Sequence, residues 1–196
     1  MSENNNKHKI YERNEKTYAF SDTSLQRIKE IIGRYPEAKQ KSALIPVLHI
    51  AQEEFGGSLN ADIMDYIAGL LNVKPIEVYE VATFYTQFYL DKVGKFVIEI
   101  CQTGPCLSCG GDDMIDYLKE KLGIDVGETT ADGLFTFKTV ECLGACGYAP
   151  VMQVNTCFHQ NLTKESIDNI IDLLRTQANE PKSNDDKWVE KFCLKK

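Results

Sequence analysis

The first half of the chain spaces its apolar residues as amphipathic helices do. Four such stretches lie between residues 21 and 94, and Pro or Gly residues or short polar links separate them. Ser42, Asn60 and Pro75 stand at helix-start positions, and the fourth helix is predicted to run as far as Phe88. This pattern predicts a small N-terminal helical bundle.

From residue 95 the period of the pattern changes from 3.6 to 2, which is the period of a β-strand. The predicted order is strand, helix, strand, strand, strand, helix, with a hairpin at Asn155-Thr156 and a last helix capped by Thr163. Strands joined through a helix pair in parallel, so the first two strands should end at the same edge of one sheet. The fold class is therefore predicted to be α/β, a helical bundle followed by a mixed-sheet domain.

These patterns divide the chain into four segments. A flexible arm (1–20) precedes the helical domain (21–94), and the sheet domain (95–177) precedes a flexible tail (178–196).

Composition narrows the possible partners and locations. The net charge is -7 without a basic cluster, which argues against nucleic acid or an anionic membrane as the main partner. No apolar run is long enough to span a bilayer, and the N-terminus resembles neither a secretory signal nor a transit peptide. We therefore expect a cytoplasmic protein, of a prokaryote or of an organelle that makes the protein itself. In such a compartment its seven cysteines favour metal or redox chemistry over structural disulfides.

Five cysteines lie in two small-residue clusters that follow the predicted parallel strands. Three interpretations compete. Cys101 and Cys106 (C-x4-C) with Cys142 and Cys146 (C-x3-C) could hold a 2Fe-2S cluster, or the same four could hold structural zinc. Cys106-x-x-Cys109 could instead act as a dithiol at a helix start, although this leaves three cysteines without a role. Plant-type ferredoxin spacing would further allow Cys109 to replace Cys146 as a ligand.

Other candidate residues carry weaker signals. His49 and His159 each lack a second histidine nearby, so neither predicts a metal site or Rieske-type ligation. The aromatic run 84–89 fits a protein contact and core packing equally well.

Several longer motifs resemble the small iron–sulfur subunit (E or 24 kDa subunit) family of NADH-quinone oxidoreductase. They span both domains and read RYP (34–36), SALIPVL (42–48), VYEVATFY (78–85), C-x4-C (101–106) and VECLGACGYAPVMQVN (140–155). The resemblance implies a thioredoxin-like ferredoxin domain with one 2Fe-2S cluster on Cys101, Cys106, Cys142 and Cys146. Cys109 would then be a spectator.

The resemblance also implies the biochemical role. The chain would carry electrons within the NADH dehydrogenase module of a proton-translocating respiratory complex, peripheral to the bacterial inner membrane. It would exchange single electrons with FMN on a partner flavoprotein subunit that also binds NADH, and would contact other peripheral-arm subunits. Consistent with this division of labour, the chain has no dinucleotide or phosphate-loop motif. The same role in an NAD-linked hydrogenase or formate dehydrogenase, or thiol–disulfide exchange at Cys106/Cys109, stays open as an alternative.

Small residues in both cysteine loops suggest how the protein would tune such a cluster. They leave the backbone amides of Thr103, Gly104, Gly144 and Gly147 free to point toward the sulfurs, and hydrogen bonds to sulfur set the reduction potential.

Overall fold

The computed structural model describes residues 17–178, which fall into two compact units divided between Lys92 and Val93. Almost all of the predicted arm and tail lies outside the described residues. Within 17–178, no helix has the length and apolar character that crossing a membrane requires.

The first unit is helical, as predicted. Its apolar helix faces form one core that includes Ile28, Leu48 and Met64. Asn60 caps its helix as predicted, because its Oδ1 accepts a hydrogen bond of 2.9 Å from the Ile63 amide. The elements are α1 (Asp22–Ile32), a 3₁₀ helix (Gln40–Ala43), α2 (Leu44–Glu54), α3 (Ala61–Leu71) and α4 (Pro75–Phe84).

Two predicted helix boundaries are wrong. Ser42 does not cap α2, because it lies inside the preceding 3₁₀ turn and Ala43 precedes the helix instead. The helix α4 ends at Phe84 rather than Phe88, since the backbone becomes extended at Tyr85. Phe88 is nevertheless buried. The helical spacing of apolar residues therefore continues beyond the end of α4, which is why it predicted a longer helix.

The end of the predicted N-terminal arm also needs correction. Phe20 is only 5% exposed, and its ring lies 4.9 Å from that of Phe55 and 5.4 Å from that of Tyr66. Tyr18 accepts a 2.7 Å hydrogen bond from the side chain of Asn60. Tyr18 and Phe20 therefore pack on the helical core, because burying an aromatic ring is strongly favourable even in a polar segment.

The second unit is the predicted α/β domain. Its elements are β1 (Phe96–Cys101), α5 (Gly104–Ser108), α6 (Gly111–Leu122), β2 (Phe135–Val140), β3 (Met152–Val154), β4 (Cys157–His159) and α7 (Lys164–Gln177). The four strands form one sheet in the order β2-β1-β3-β4. The strands β1 and β2 are parallel, while β3 pairs with β1 and β4 in antiparallel fashion. The turn at Asn155-Thr156 joins β3 to β4, as predicted.

One core holds this unit together. The buried residues of α6 and α7, Leu118 and Ile171 among them, pack against sheet residues such as Ile98 and Phe137. The short helix α5 was not predicted from the Gly-Pro sequence that starts it. Proline suits the first turn of a helix, and the Thr103 carbonyl accepts from the amide of Cys106 at 2.9 Å to close that turn.

Candidate metal centre

The two cysteine loops begin side by side because the strands that deliver them are parallel and in register. Cys101 is the last residue of β1 and lies opposite Val140, the last residue of β2. The Gln102 amide then donates to the Val140 carbonyl at 3.0 Å, so the two segments are still adjacent as they leave the sheet. Cys142 follows two residues later.

The cysteines differ sharply in burial. Cys101 and Cys106 are each 2% exposed and form a small apolar cluster with Val151. Cys142 and Cys146 are exposed, and all four are free thiols. The first loop therefore supplies a buried pair of sulfurs and the second an exposed pair.

The sulfur of Cys101 lies among hydrogen-bond donors. Burial by itself would raise the pKa of this thiol, but donation from the Thr103 and Leu143 amides and from the Cys106 thiol lowers it below its usual value. The Cys101 thiol also donates to the Glu141 carbonyl at 3.6 Å, so the second loop contacts this sulfur.

The pKa of the neighbouring Cys106 thiol is shifted in the opposite direction, above its usual value. Burial raises its pKa, and the hydrogen bond with Cys101 and the nearby thiolates of Cys101 and Cys146 raise it further, although the Val151 amide donates to it.

Backbone amides reach the second loop as well. The Gly144 amide lies 3.3 Å from the sulfur of Cys142, and Thr103 likewise donates to sulfur as the sequence suggested. Leu143 and Val151 were not anticipated as donors. No sequence signal could have found them, because every residue except proline carries a backbone amide.

One glycine allows a helix to approach the site closely. A Cβ atom added to Gly111 would lie 2.7 Å from the Cys106 carbonyl oxygen, so only glycine fits where α6 begins. Gly144 has a different requirement, since its φ is +70° while an added Cβ would meet nothing within 4 Å. Its conformation, rather than the space beside it, favours glycine.

The remaining candidates stay apart from this arrangement. Cys109 is exposed at the end of α5, and His159 lies in β4 opposite Met152. Burial lowers the pKa of His159, and its Nδ1 has no hydrogen-bond partner within the described chain. His49 is exposed on α2 with its ring 5.0 Å from that of Phe88.

The aromatic run 84–89 contains both core residues and exposed residues that could contact another protein. Phe88 belongs to the helical core, whereas Phe84 is 76% exposed and Tyr85 41% exposed.

The chemistry of the four thiols fits a 2Fe-2S cluster. Such a cluster takes four thiolates as two pairs, one for each iron. Two cysteine pairs on adjacent loops, with amide donors directed at the sulfurs, meet that requirement.

Comparison with known proteins identifies the family. The sequence model of thioredoxin-like [2Fe-2S] ferredoxins matches residues 28–175, which is most of both units. The chain belongs to this family. A thioredoxin-like ferredoxin with a 2Fe-2S cluster is also the fold and cofactor that the motifs predicted.

Relatives of this ferredoxin are named as subunits of respiratory enzymes. The E subunit of NADH-quinone oxidoreductase from Rickettsia conorii is 42% identical over 158 residues, covering 81% of this chain and 95% of the relative. The mitochondrial NADH dehydrogenase [ubiquinone] flavoprotein 2 of Dictyostelium discoideum is 39% identical over 174 residues, covering 89% of this chain and 68% of the relative. These matches confirm the resemblance seen in the motifs.

A solved structure has the same fold. An NAD+-reducing [NiFe]-hydrogenase chain superposes with a TM-score of 0.60 at 22% identity. The match covers 71% of the ferredoxin and 24% of the hydrogenase chain.

Proposed function

We propose that this ferredoxin is the 2Fe-2S electron-transfer subunit of the NADH dehydrogenase module of an NADH-quinone oxidoreductase. It exchanges single electrons with the FMN of a partner flavoprotein subunit. The observation that carries the proposal is that the loops holding the two cysteine pairs leave the sheet side by side, since Cys101 at the end of β1 lies opposite Val140 at the end of β2. Nearly full-length relatives that are named as the E subunit of NADH-quinone oxidoreductase support it.

The ligand set that we propose is Cys101 and Cys106 for one iron and Cys142 and Cys146 for the other. A 2Fe-2S cluster bound there stores one electron. The chain's own contribution is to hold the four thiolates and to donate amide hydrogen bonds to them, which stabilises their negative charge. Cys109 is a spectator.

The catalytic work belongs to the assembled complex. In this proposal NADH and FMN bind the flavoprotein subunit, and this chain carries electrons without a substrate site of its own. The complex is proton-translocating, and the chain is held on the cytoplasmic side of the bacterial inner membrane by other peripheral-arm subunits. It neither enters the membrane nor binds nucleic acid.

Two observations favour this role over its competitors. Identity to the quinone oxidoreductase subunits reaches 42%, against 22% to the hydrogenase chain, so the respiratory complex is favoured. Thiol–disulfide exchange at Cys106/Cys109 is disfavoured because Cys106 is buried and its pKa is raised, whereas a reactive thiol needs exposure and a low pKa.

A preparation made without oxygen tests the cofactor. Acid-labile sulfide near two per chain, by the composition of the cluster, and an EPR signal on reduction would support it. Stoichiometric zinc would support a structural metal site, and a colourless protein active on disulfides would support the dithiol.

Serine substitutions test the ligand set. Cys146→Ser should lose the native cluster, whereas Cys109→Ser should retain its sulfide content and EPR spectrum. A native spectrum in Cys146→Ser would instead make Cys109 the fourth ligand.

Adding the flavoprotein subunit tests the partner. NADH should reduce the cluster of this chain only when the FMN-loaded subunit is present. Reduction by NADH without that subunit would contradict the proposed division of labour.

A further inference from the structure

Large apolar side chains are exposed beside both cysteine pairs. Leu107 directly follows Cys106 and is 40% exposed, and Tyr148 lies two residues after Cys146 and is 47% exposed. The loops that carry them leave the sheet side by side, because Cys101 lies opposite Val140 where β1 and β2 end. Apolar side chains gathered at a functional site favour a protein contact over chance exposure.

The same loops carry no positive charge. No lysine or arginine occurs in residues 96–118 or 139–163, the two stretches that deliver the four cysteines. Asp112, Asp113 and Glu141 lie in these stretches and are exposed. We call these three acids and the two apolar residues, which are exposed and lie near the proposed ligands along the chain, the acidic rim. Its members are Leu107, Asp112, Asp113, Glu141 and Tyr148.

We infer that the acidic rim is the docking surface for the protein that exchanges electrons with this chain, and that this partner presents lysine or arginine side chains around an apolar contact. The inference rests on the proposed function, because an electron carrier must bring its cofactor close to that of the partner. Opposite charges steer the encounter and exclude wrong partners, while a few apolar anchors supply most of the affinity. Redox partners commonly use such small interfaces.

The apolar half of the surface is tested on the full, cluster-loaded chain with the FMN-binding subunit of the same complex as the probe. Tyr148→Ser and Leu107→Ser should each weaken binding about tenfold or more, the effect of removing an interface anchor. Leu173→Ser is the matched control, because Leu173 is 37% exposed on α7 and lies outside the acidic rim. It should bind within about twofold of the native chain.

The charged half is tested through association rates. Asp113→Lys should slow association about fivefold at low salt, and the difference should vanish near 1 M salt, where screening is strong. Asp172→Lys makes the same charge change on α7, where Asp172 is exposed, and should have little effect.

Two outcomes distinguish failure of the proposed function from failure of the docking surface alone. If the native chain neither binds the flavoprotein subunit nor accepts electrons through it, the proposed function fails. If it does both, but the Tyr148, Leu107 and Asp113 variants behave as the native chain does, only the docking surface is wrong.

Loss of binding in Phe84→Ser with native binding in the rim variants would place docking on the helical unit and would also overturn the inference. Sulfide content and the EPR spectrum of each variant distinguish lost docking from a lost cluster. Asp113 lies on α6, four residues beyond Cys109. If Tyr148→Ser or Leu107→Ser loses its cluster, the Asp113→Lys variant still tests the docking surface.

Discussion

Gly111 lies where helix α6 meets the backbone of a proposed ligand. Its missing side chain matters because a Cβ atom would stand 2.7 Å from the Cys106 carbonyl oxygen and 2.9 Å from its carbonyl carbon. Gly111→Ala must therefore displace α6 or Cys106. We expect a loss of about 1–3 kcal/mol in the free energy of unfolding, the usual result of overpacking, together with a changed EPR spectrum.

Gly104→Ala is the control for this substitution. Gly104 begins the neighbouring short helix α5, but a Cβ atom added there would have nothing within 4 Å. Urea unfolding should show it within about 0.5 kcal/mol of the native chain, as for uncrowded surface positions. Equal losses in the two variants would show that close approach at Gly111 is not the cause.

Gly144 should respond to the backbone preference of its substitute rather than to size. Its φ of +70° is strained for valine, whereas asparagine tolerates this region best among residues with side chains. Gly144→Val should therefore unfold at lower urea than Gly144→Asn and shift the reduction potential more, since it moves the amide that donates to Cys142. Equal effects of both substitutions would favour crowding by the side chain instead.

At the scale of elements, helix α7 depends on the hydrogen bonds at its start. The Ser166 amide donates to Thr163 Oγ1 at 3.1 Å, and the Thr163 amide donates to Ser166 Oγ at 2.9 Å. Thr163→Ala should cost about 1 kcal/mol in urea unfolding because it leaves an amide of the first turn without its partner.

A second threonine of the same helix provides the comparison. Thr176 donates its hydroxyl to the Asp172 carbonyl at 2.9 Å within the helix, where that carbonyl can also be satisfied by the backbone. Thr176→Ala should change stability by about 0.5 kcal/mol or less. A loss as large as that of Thr163→Ala would mean that the cap is not what distinguishes Thr163.

For the whole molecule, the main question is where one domain ends and the next begins. The sequence places the boundary at 94/95, and the compact units divide between Lys92 and Val93. No helix or strand lies between Phe84 and Phe96, and Lys92 is exposed in this connection. Brief trypsin treatment of the native protein should therefore cut at Lys92, since proteases favour exposed irregular segments.

The fragments identify the domains. We propose that the C-terminal fragment retains the sulfide and colour of the cluster, because it contains both cysteine pairs. Early cleavage inside α1 or α6 instead, where trypsin sites also exist, or loss of colour on cleavage at Lys92, would contradict two independent domains.

The local pattern of side chains was sufficient for much of this protein. Asn60, Pro75 and Thr163 identified helix starts, because a cap or first-turn residue acts within one turn. The alternation from residue 96 identified β1, and the order of elements placed both cysteine loops at one edge of the sheet. Cysteine spacing restricted the chemistry to a thiolate-bound metal site or a redox dithiol, and the longer motifs identified the family.

Other features required contacts between distant parts of the chain. Phe20 is buried because Phe55 and Tyr66 surround it, and α4 stops before Phe88 although the apolar spacing continues. Such features depend on which residues become neighbours after folding.

The same holds for the cysteine loops. The burial of one cysteine pair and the amide donors Leu143 and Val151 arise only where the two loops come together. Local sequence specifies conformation within a turn or a strand. Burial and hydrogen bonding to sulfur depend on the folded surroundings, because they are set by atoms that are far apart along the chain.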